Sequence, residues 1–343
     1  MTTPTLSIAD LTELVAAIFE SRGMAPADAR TVAGVVVAAE RDGARSHGLQ
    51  RMPGYVSSMD CGWVDARAEP RVEQRTPGLL AADAGNGFAQ IALARARDQL
   101  AQLARQNGTA VLTIRNAHHF AALWPDVEPF AEAGFIALAA VNSHSLMTVW
   151  GGTRKVLGTN PMAFACPRRD GPPLVWDQAS STMSQGDVLL HRAAGKPLPP
   201  GAGIDRAGQA TTEPAAVLDG GALLPFAGAK GGSIAFMVEI LVAAFGGGTF
   251  GFEDRGAAVP GAVTSRSNQF LLLLDPAAAG ATAFGARVEA LLAAIKAGGS
   301  QRMPAERRYA ARQRAATAGI PVDAAVLDGL RGFCGTGGPR ASR

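Results

Sequence analysis

Apolar residues recur at helical spacing over the first sixty positions of the chain. Ser7, with Asp10 three residues later, resembles a capping box that precedes the apolar series Leu11, Leu14, Val15, Ile18 and Phe19. Gly23 ends this helix, and Pro26 begins a second one that is predicted to run to about Glu40. A third, short helix is predicted over 49–59. The N-terminal part is therefore predicted to be helical.

From about residue 79 the pattern changes, and short apolar runs alternate with segments at helical spacing. The predicted strands are 79–82, 109–114, 135–142, 162–165, 174–176 and 270–274, and the predicted helices are 91–105, 120–133, 185–194, 231–245 and 278–296. This alternation predicts an α/β or α+β layer. A long Gly/Pro-rich loop over 195–218 interrupts it, and loops of that length are usually functional or mobile.

Length and charge narrow the class of protein. With 343 residues the chain exceeds one ordinary core, which favours two domains or one elaborate domain. The net charge is only +3, and basic residues are dispersed except over 301–314. A nucleic-acid interface needs a basic stripe with interleaved aromatic side chains, so the sequence excludes this class of partner.

The cysteines and the apolar tracts predict a cellular compartment. Cys61, Cys166 and Cys334 are odd in number and far apart, without C-x-x-C spacing. They predict reduced cytoplasmic thiols rather than a disulfide framework or a zinc site, and no other metal motif is present. The N-terminus has no signal-peptide pattern. The longest apolar tract, 234–245, contains Glu239 and is too short to span a bilayer, so we expect a soluble, cytoplasmic protein.

The segment 42–51, DGARSHGLQR, places a hydroxyl, an imidazole and two guanidinium groups within seven residues. An arginine holds a carboxylate by paired hydrogen bonds, and a histidine exchanges a proton near neutral pH. The segment therefore predicts a site for a small anionic substrate. Its position at the start of the third predicted helix supports this, because free backbone N–H groups favour anions. The alternative from these residues alone is a solvated turn between two helices.

Further polar segments lie at predicted strand ends or helix starts, namely 116–120, 142–161, 177–187 and 228–233. Such positions commonly bind phosphates and carboxylates. From these residues alone, 116–120 is equally a capped helix start with His119 at the surface, and 142–161 is equally an ordinary wide turn. Asp187 is either a carboxylate that orients a proton-donating histidine or a helix cap. Lys230, among glycines, is either a phosphate contact or a solvated loop residue. The match to G-x-G-x-x-G over 246–251 follows a helix instead of a strand, so we reject it as a dinucleotide fingerprint.

Taken in order, these segments resemble the malate/L-lactate dehydrogenase family that lacks a Rossmann fold. The shared order is Arg-Ser-His-Gly-x-x-Arg, His-His-Phe, Gly-Thr-Asn-Pro, Asp-Gln-Ala and a Gly/Lys/Gly turn, from about residue 5 to 335. The segments 121–130, 204–206 and 218–226 are similar to the Δ1-piperideine-2-carboxylate/Δ1-pyrroline-2-carboxylate reductase branch of that family.

The resemblance implies an α/β (α+β) fold in which NADP lies on a mostly antiparallel central sheet. It implies a helical substrate and dimer domain over 1–75, joined by C-terminal helices over 290–343, and an NADP-binding and catalytic region over 76–289. The implied activity is the NADPH-dependent reduction of cyclic imino acids to L-pipecolate and L-proline by a homodimer. Two alternatives stay open: an NAD(P)H-dependent 2-oxo acid reductase and a non-catalytic nucleotide-binding dimer.

The matching positions also carry implied roles. His47 is the implied proton donor, with Ser46 and Asp187 as its relay, and no metal is implied. The implied substrate-binding residues are Arg51, Thr159, Gln185 and Gly186. The implied cofactor contacts are His119, Phe120, Ala121, Ala122, Leu123, Asp177, Gln178, Ala179, Ala229, Lys230, Arg302, Met303, Pro304, Ala305, Glu306, Arg307 and Arg308. The basic residues of the last segment suit a phosphate group, including a 2′-phosphate.

The chain departs from the family pattern at two places. Ala229-Lys230 stands where the family usually has His-Lys, which removes an imidazole contact to the cofactor but leaves the implied proton donor intact. Met303 and Ala305 lie in a segment that usually contains more glycine and acidic residues. We therefore expect any effect of these departures on nucleotide binding and not on the proton donor.

Overall fold

The structure, a computed structural model, describes residues 4–334. The helices are α1 (Ile8–Glu20), α2 (Pro26–Arg41), α3 (Met52–Asp60), α4 (Ala89–Asn107), α5 (Trp124–Glu132), α6 (Gln185–Ala193), α7 (Pro214–Leu218), α8 (Ala229–Glu239), α9 (Phe284–Ala297), α10 (Glu306–Ala318) and α11 (Ala324–Cys334). The strands are β1 (Thr5–Leu6), β2 (Arg71–Thr76), β3 (Leu79–Phe88), β4 (Thr109–His118), β5 (Ile136–Val141), β6 (Met162–Cys166), β7 (Leu174–Gln178), β8 (Gly203–Ile204), β9 (Ala210–Thr211), β10 (Ala222–Leu223), β11 (Arg266–Leu274) and β12 (Ile320–Pro321).

The N-terminal helices enclose one apolar core together with the C-terminal helix α11. As the capping pattern predicts, Ser7 Oγ accepts a hydrogen bond from the backbone N of Asp10 at 3.0 Å, which starts α1. The buried face of α1 then meets apolar side chains of α2, α3 and α11. Strand β1 pairs antiparallel with β12, which brings the end of the chain back to its beginning. The domain boundaries at 75/76 and 289/290 stay predictions.

A seven-stranded sheet forms the centre of the molecule, in the order β2-β3-β4-β11-β5-β6-β7. Only β3 and β4 are parallel, joined by the crossover helix α4, and the other neighbouring strands are antiparallel. Helices α4 and α5 pack on the sheet and bury a second apolar core. The mostly antiparallel α/β sheet that the resemblance implies is confirmed.

Several predicted boundaries differ from the observed ones. β4 does not end at Ile114 but continues to His118, because pairing with β3 and β11 continues beyond the apolar run. The next helix accordingly begins at Trp124 and not at Phe120. The edge strand β2 was not predicted, since five of its six residues are polar or charged. The loop over 195–218 contains β8, β9 and α7, and a π-helical segment over 240–245 extends α8.

The described residues contain neither a helix that could span a membrane nor a cluster of metal-ligating side chains. None of the helices in 4–334 has the length and apolar character needed to cross a membrane. The His, Cys, Asp and Glu side chains of the same residues form no group of three or more that could hold a metal ion.

Candidate active site

A cavity of about 950 Å³ lies where the helical N-terminal part, the end of β7 and the C-terminal segment meet. Two of its sides are named here: the His47 loop (42–51) and the C-terminal wall (302–308). The residues of the predicted site that line the cavity are His47, Ala121, Ala122, Leu123, Thr159, Asp177, Gln178, Ala179, Asp187 and the seven residues of the C-terminal wall. The structure therefore brings together segments that are up to 260 positions apart.

The His47 loop consists of two 3₁₀ turns, Arg45–His47 and Leu49–Arg51, between α2 and α3. The carboxylate of Glu40 accepts a hydrogen bond from the backbone N of Leu49 at 3.0 Å and ties the loop to α2. A Cβ at Gly48 would lie 3.0 Å from the backbone N of Glu40, so only a glycine allows this close approach. The Ser-His-Gly order therefore has a steric basis in addition to its chemistry.

His47 and Arg51 are fixed by neighbours within the same loop. Ser46 Oγ lies 3.1 Å from His47 Nδ1, which leaves Nε2 as the second ring nitrogen for another partner. Arg51 Nε donates to the carbonyl of Ser46 at 2.7 Å, and its guanidinium carbon lies 4.3 Å from the centre of the Phe120 ring. The Arg51 side chain is thus held in one orientation by a hydrogen bond and a stacked ring.

The first turn of α6 faces this pair. A Cβ at Gly186 would lie 3.5 Å from Arg51 Nη2 and 3.7 Å from Ser46 Cβ, so the predicted substrate residue Gly186 lies beside Arg51. The role of Gln185, which precedes it, stays a prediction. Asp187 follows in the same turn. Among the described residues its hydrogen-bond partner is Ser184, whose Oγ donates to the carboxylate at 2.8 Å; it makes no direct hydrogen bond to His47.

Burial and charge set the protonation of His47. Desolvation is the main cause that lowers the pKa of His47 to about 4, and the nearby Arg51 guanidinium lowers it further. The Asp187 carboxylate acts in the opposite direction and raises it. Without a bound anion, the imidazole is therefore neutral at pH 7.

The opposite side of the cavity has buried polar groups without hydrogen-bond partners. Asp177 accepts hydrogen bonds from the backbone N of Leu123 at 2.7 Å and of Trp124 at 3.1 Å, and burial raises its pKa. Arg308 Nη2 donates to the carbonyl of Val175 at 2.7 Å, and the guanidinium lies over the Trp124 ring at 4.6 Å. Within 4–334, Arg308 Nη1 and Trp124 Nε1 are buried without a partner. Unpaired buried donors of this kind suit a ligand that brings acceptor oxygens.

Four residues predicted to contact the cofactor lie outside the lining of this cavity. The His119 ring is buried and its Nε2 lies 2.9 Å from an Asp126 carboxylate oxygen, while Phe120 packs under Arg51. Ala229 and Lys230 begin α8, and Ala229 lines a separate cavity of about 680 Å³. The roles of these four residues stay predictions.

Sequence reasoning missed two groups of residues at the site. Ser184 caps α6 through the same Ser-x-x-Asp spacing that begins α1, so the signal was available. Asp42 and Arg312, which form an ion pair beside the cavity, are 270 positions apart. No local pattern connects them.

Comparison with known proteins extends over nearly the whole chain. A sequence model of the family described as malate/L-lactate dehydrogenase matches residues 6–331. The chain belongs to this family. It is accordingly a nucleotide-dependent oxidoreductase, and the match spans both the His47 loop and the C-terminal wall.

Three relatives within or beside this family are informative. The chain is 47% identical over 326 residues, 95% of its own length and 96% of the relative's, to the Delta(1)-pyrroline-2-carboxylate/Delta(1)-piperideine-2-carboxylate reductase of Pseudomonas putida. It is similar, with a TM-score of 0.95 and 45% identity, to the crystal structure of delta1-piperideine-2-carboxylate reductase from Pseudomonas syringae pv. tomato, covering 96% of this chain and 100% of that one. The chain is also 36% identical to the (2R)-3-sulfolactate dehydrogenase (NADP(+)) of Chromohalobacter salexigens, over 96% of its own length and 97% of the relative's.

Proposed function

We propose that this protein reduces cyclic imino acids, Δ1-piperideine-2-carboxylate and Δ1-pyrroline-2-carboxylate, with NADPH to L-pipecolate and L-proline. The observation that carries the proposal is the single cavity in which the His47 loop faces the C-terminal wall, in a chain 47% identical to a reductase named for both substrates. The His47 loop supplies groups for a small carboxylate, and the C-terminal wall supplies groups for a phosphorylated nucleotide.

The residues of the cavity fit NADP. The buried, unpartnered Nη1 of Arg308 and the guanidinium groups of Arg302 and Arg307 suit phosphate oxygens, including a 2′-phosphate. Asp177 and the adjoining backbone over 121–124 would hold the rest of the nucleotide against the end of β7. When bound, NADPH supplies the hydride that reaches C2 of the substrate.

Arg51 is the proposed holder of the substrate carboxylate. Its Nε is occupied by Ser46 O, which leaves the two Nη groups for a bidentate contact. The absence of a side chain at Gly186 keeps the space beside Nη2 open, and Thr159 lines the cavity as a further polar contact. The flat imino acid ring then lies next to His47.

His47 is the proposed proton donor to the substrate nitrogen. In the free protein it is neutral, because burial and the Arg51 charge oppose its protonation. A carboxylate on Arg51 offsets that charge and removes one cause of the lowered pKa. Ser46 orients the ring, and Asp187 supplies negative charge that favours the protonated form. Substrate binding itself therefore prepares His47 to carry a proton.

We also propose a cytoplasmic homodimer without a nucleic-acid partner. On α8 and the π-helical segment that extends it, the apolar side chains of Phe236, Met237 and Ile240 are 40–49% exposed, and Trp150 contacts Phe236 beside them with a centroid distance of 5.7 Å. Contiguous exposed apolar surface of this kind supports a protein–protein interface. The net charge of +3 does not favour nucleic acid.

A second candidate function is reduction of an open-chain 2-oxo acid. The 36% identity to a sulfolactate dehydrogenase favours this function. A 2-oxo acid differs from a cyclic imino acid in having C=O in place of C=N at the carbon that is reduced. Arg51 and His47 suit both, because each substrate joins a carboxylate to the carbon that is reduced.

Purified protein mixed with NADPH and either Δ1-piperideine-2-carboxylate or pyruvate separates these functions, with loss of NADPH absorbance as the measurement. Turnover of the imine alone is the expected result. Turnover of pyruvate alone would favour 2-oxo acid reduction, and inactivity with both would leave the non-catalytic nucleotide-binding dimer.

A further inference from the structure

Two residues of helix α10 and two residues of other elements form a cluster of contacts beside the cavity. They are Asp42 at the end of α2, Glu128 in α5, and Tyr309 and Arg312 in α10; we refer to them as the C-terminal clamp. None of them has an assigned contact to substrate or nucleotide. Their arrangement nevertheless fixes the distance between the two sides of the cavity.

Arg312 is the centre of the clamp. Its Nε and Nη2 donate to the two carboxylate oxygens of Asp42 at 3.2 and 2.6 Å. Its Nη1 and Nη2 also donate to the two oxygens of Glu128 at 3.0 and 2.9 Å. The guanidinium thus bridges two carboxylates in bidentate fashion, which a lysine cannot do.

Tyr309 adds an uncharged contact to the clamp. Its hydroxyl oxygen lies 2.8 Å from Glu128 Oε1 and 2.7 Å from the carbonyl of Pro173, just before β7, and donates to one of the two. Together, the contacts of Tyr309 and Arg312 attach α10 to α2, α5 and the start of β7. All three attachment points adjoin segments that line the cavity.

The clamp joins the two functional sides directly. Asp42 is the first residue of the His47 loop, and its carboxylate is fully buried. Tyr309 follows Arg308, the last residue of the C-terminal wall. Ala44 of the loop and Ala305 of the wall also pack on the same sheet core. A shift of α10 would therefore change the position of the wall relative to His47.

The backbone of the wall is consistent with an element that its surroundings hold in place. Ala305, at the N-cap of α10, has a φ of 66°, in the left-handed region that costs an alanine free energy. Such a conformation persists only where the surrounding structure overdetermines it. Around this residue, the Glu306 carboxylate accepts a hydrogen bond from the backbone N of Met303 at 3.0 Å, and the clamp residues Tyr309 and Arg312 follow one and two turns along α10.

We infer that the C-terminal clamp positions the wall over 302–308 against the His47 loop and thereby couples nucleotide binding to binding of the substrate carboxylate. This inference rests on the proposed nucleotide site. Arg312 acts as a positioning residue, because it reaches the site only through Asp42 and Glu128. By linkage, each ligand changes the affinity for the other by the same factor.

The test compares Arg312→Met, Arg312→Lys and Tyr309→Phe with the full-length wild type. NADPH affinity is measured by fluorescence, with and without pyrrole-2-carboxylate as a flat carboxylate that is not reduced. Arg312→Met is expected to weaken NADPH binding about tenfold and to abolish the coupling between the two ligands. Arg312→Lys should keep part of the coupling that Arg312→Met loses. Tyr309→Phe should weaken NADPH binding by about twofold to threefold.

Arg30→Met is the matched control, since Arg30 makes an exposed ion pair with Glu13 far from the cavity; it should change neither affinity nor coupling. Unchanged affinity and coupling in folded Arg312→Met overturn the inference. If that variant does not fold, Tyr309→Phe decides in the same way. Failure of the wild type to bind NADPH would instead overturn the proposed nucleotide site, and the inference with it.

Discussion

The His47 loop and the C-terminal wall face each other across one cavity, but their contacts differ in range. Around His47 in the loop, Arg51 bonds to Ser46 and Leu49 bonds to Glu40, so these hydrogen-bond partners lie within nine positions of each other; Asp42, at the start of the loop, is the exception. In the wall and the helix behind it, Arg308 bonds to Val175 and Arg312 to Asp42, which are 133 and 270 positions away. The proposed proton and carboxylate chemistry is therefore built locally, whereas the proposed nucleotide side depends on the completed fold.

Replacing His47 tests the local side most severely. His47→Ala should lower kcat by about 10² to 10⁴-fold, the usual contribution of positioned proton transfer, while NADPH affinity stays unchanged. Steady-state kinetics and a fluorescence titration give the two values. His191→Ala is the control, because His191 is solvent-accessible on α6. Full turnover in folded His47→Ala would remove His47 from the mechanism.

Arg51→Lys tests the proposed contact between the same loop and the substrate carboxylate. A lysine cannot form the paired contact to a carboxylate, so KM for the imino acid should rise by about tenfold to a hundredfold with a smaller change in kcat. Arg45→Lys, at an exposed side chain 3.7 Å from Glu40, should leave KM unchanged. Equal KM values for the Arg51 variant and the wild type would place the substrate carboxylate elsewhere.

The pH dependence of stability reports on the imidazoles of His47 and His118. The pKa of His47 is lowered from 6.5 to about 4 and that of His118 to about 3, mainly by burial. Between these values and 6.5 the unfolded chain binds more protons than the folded one, so the free energy of unfolding rises with pH. This contribution is fully present above pH 6.5 and is lost as pH falls through 4 and 3.

Thermal unfolding from pH 8 to pH 4, over roughly the range in which histidines titrate, measures this loss. His47→Gln should flatten the profile between pH 6.5 and 4 relative to the wild type. An identical slope in wild type and His47→Gln would show that the imidazole at position 47 is not held neutral by the fold.

The smallest expected effect lies in the C-terminal wall. Ala305→Gly should raise the free energy of unfolding by about 0.5–1 kcal/mol, because glycine adopts a positive φ without the steric cost of a Cβ. Chemical denaturation measures the change. Ala283→Gly is the matched control at the N-cap of α9, where φ is −101° and glycine should give no gain. A destabilised Ala305→Gly protein would contradict the strain assigned to the wall.

Sequence alone predicted the parts of the molecule that have short-range causes. The Ser7 cap and most strand centres follow from neighbouring residues, whereas the chemistry of the His47 loop stays a prediction. β2 was missed because polar side chains cover an edge strand, and β4 was predicted too short because pairing extends it through His118. The pairing of Asp42 with Arg312 could not be predicted, since the two residues meet only after α10 has packed, whereas the second partner of Asp42, Arg41, is its neighbour in the sequence.

Transfer of deuterium from NADPH to the product directly tests the proposed reduction of the imino acid at C2. Protein supplied with NADPH deuterated at the transferable position and Δ1-piperideine-2-carboxylate should yield L-pipecolate with one deuterium at C2, as read by mass spectrometry and chiral separation. This result requires both sides of the cavity to act on one substrate. Product without deuterium at C2, or no product under conditions where NADPH binds, would contradict the proposed hydride transfer from NADPH to the imino acid.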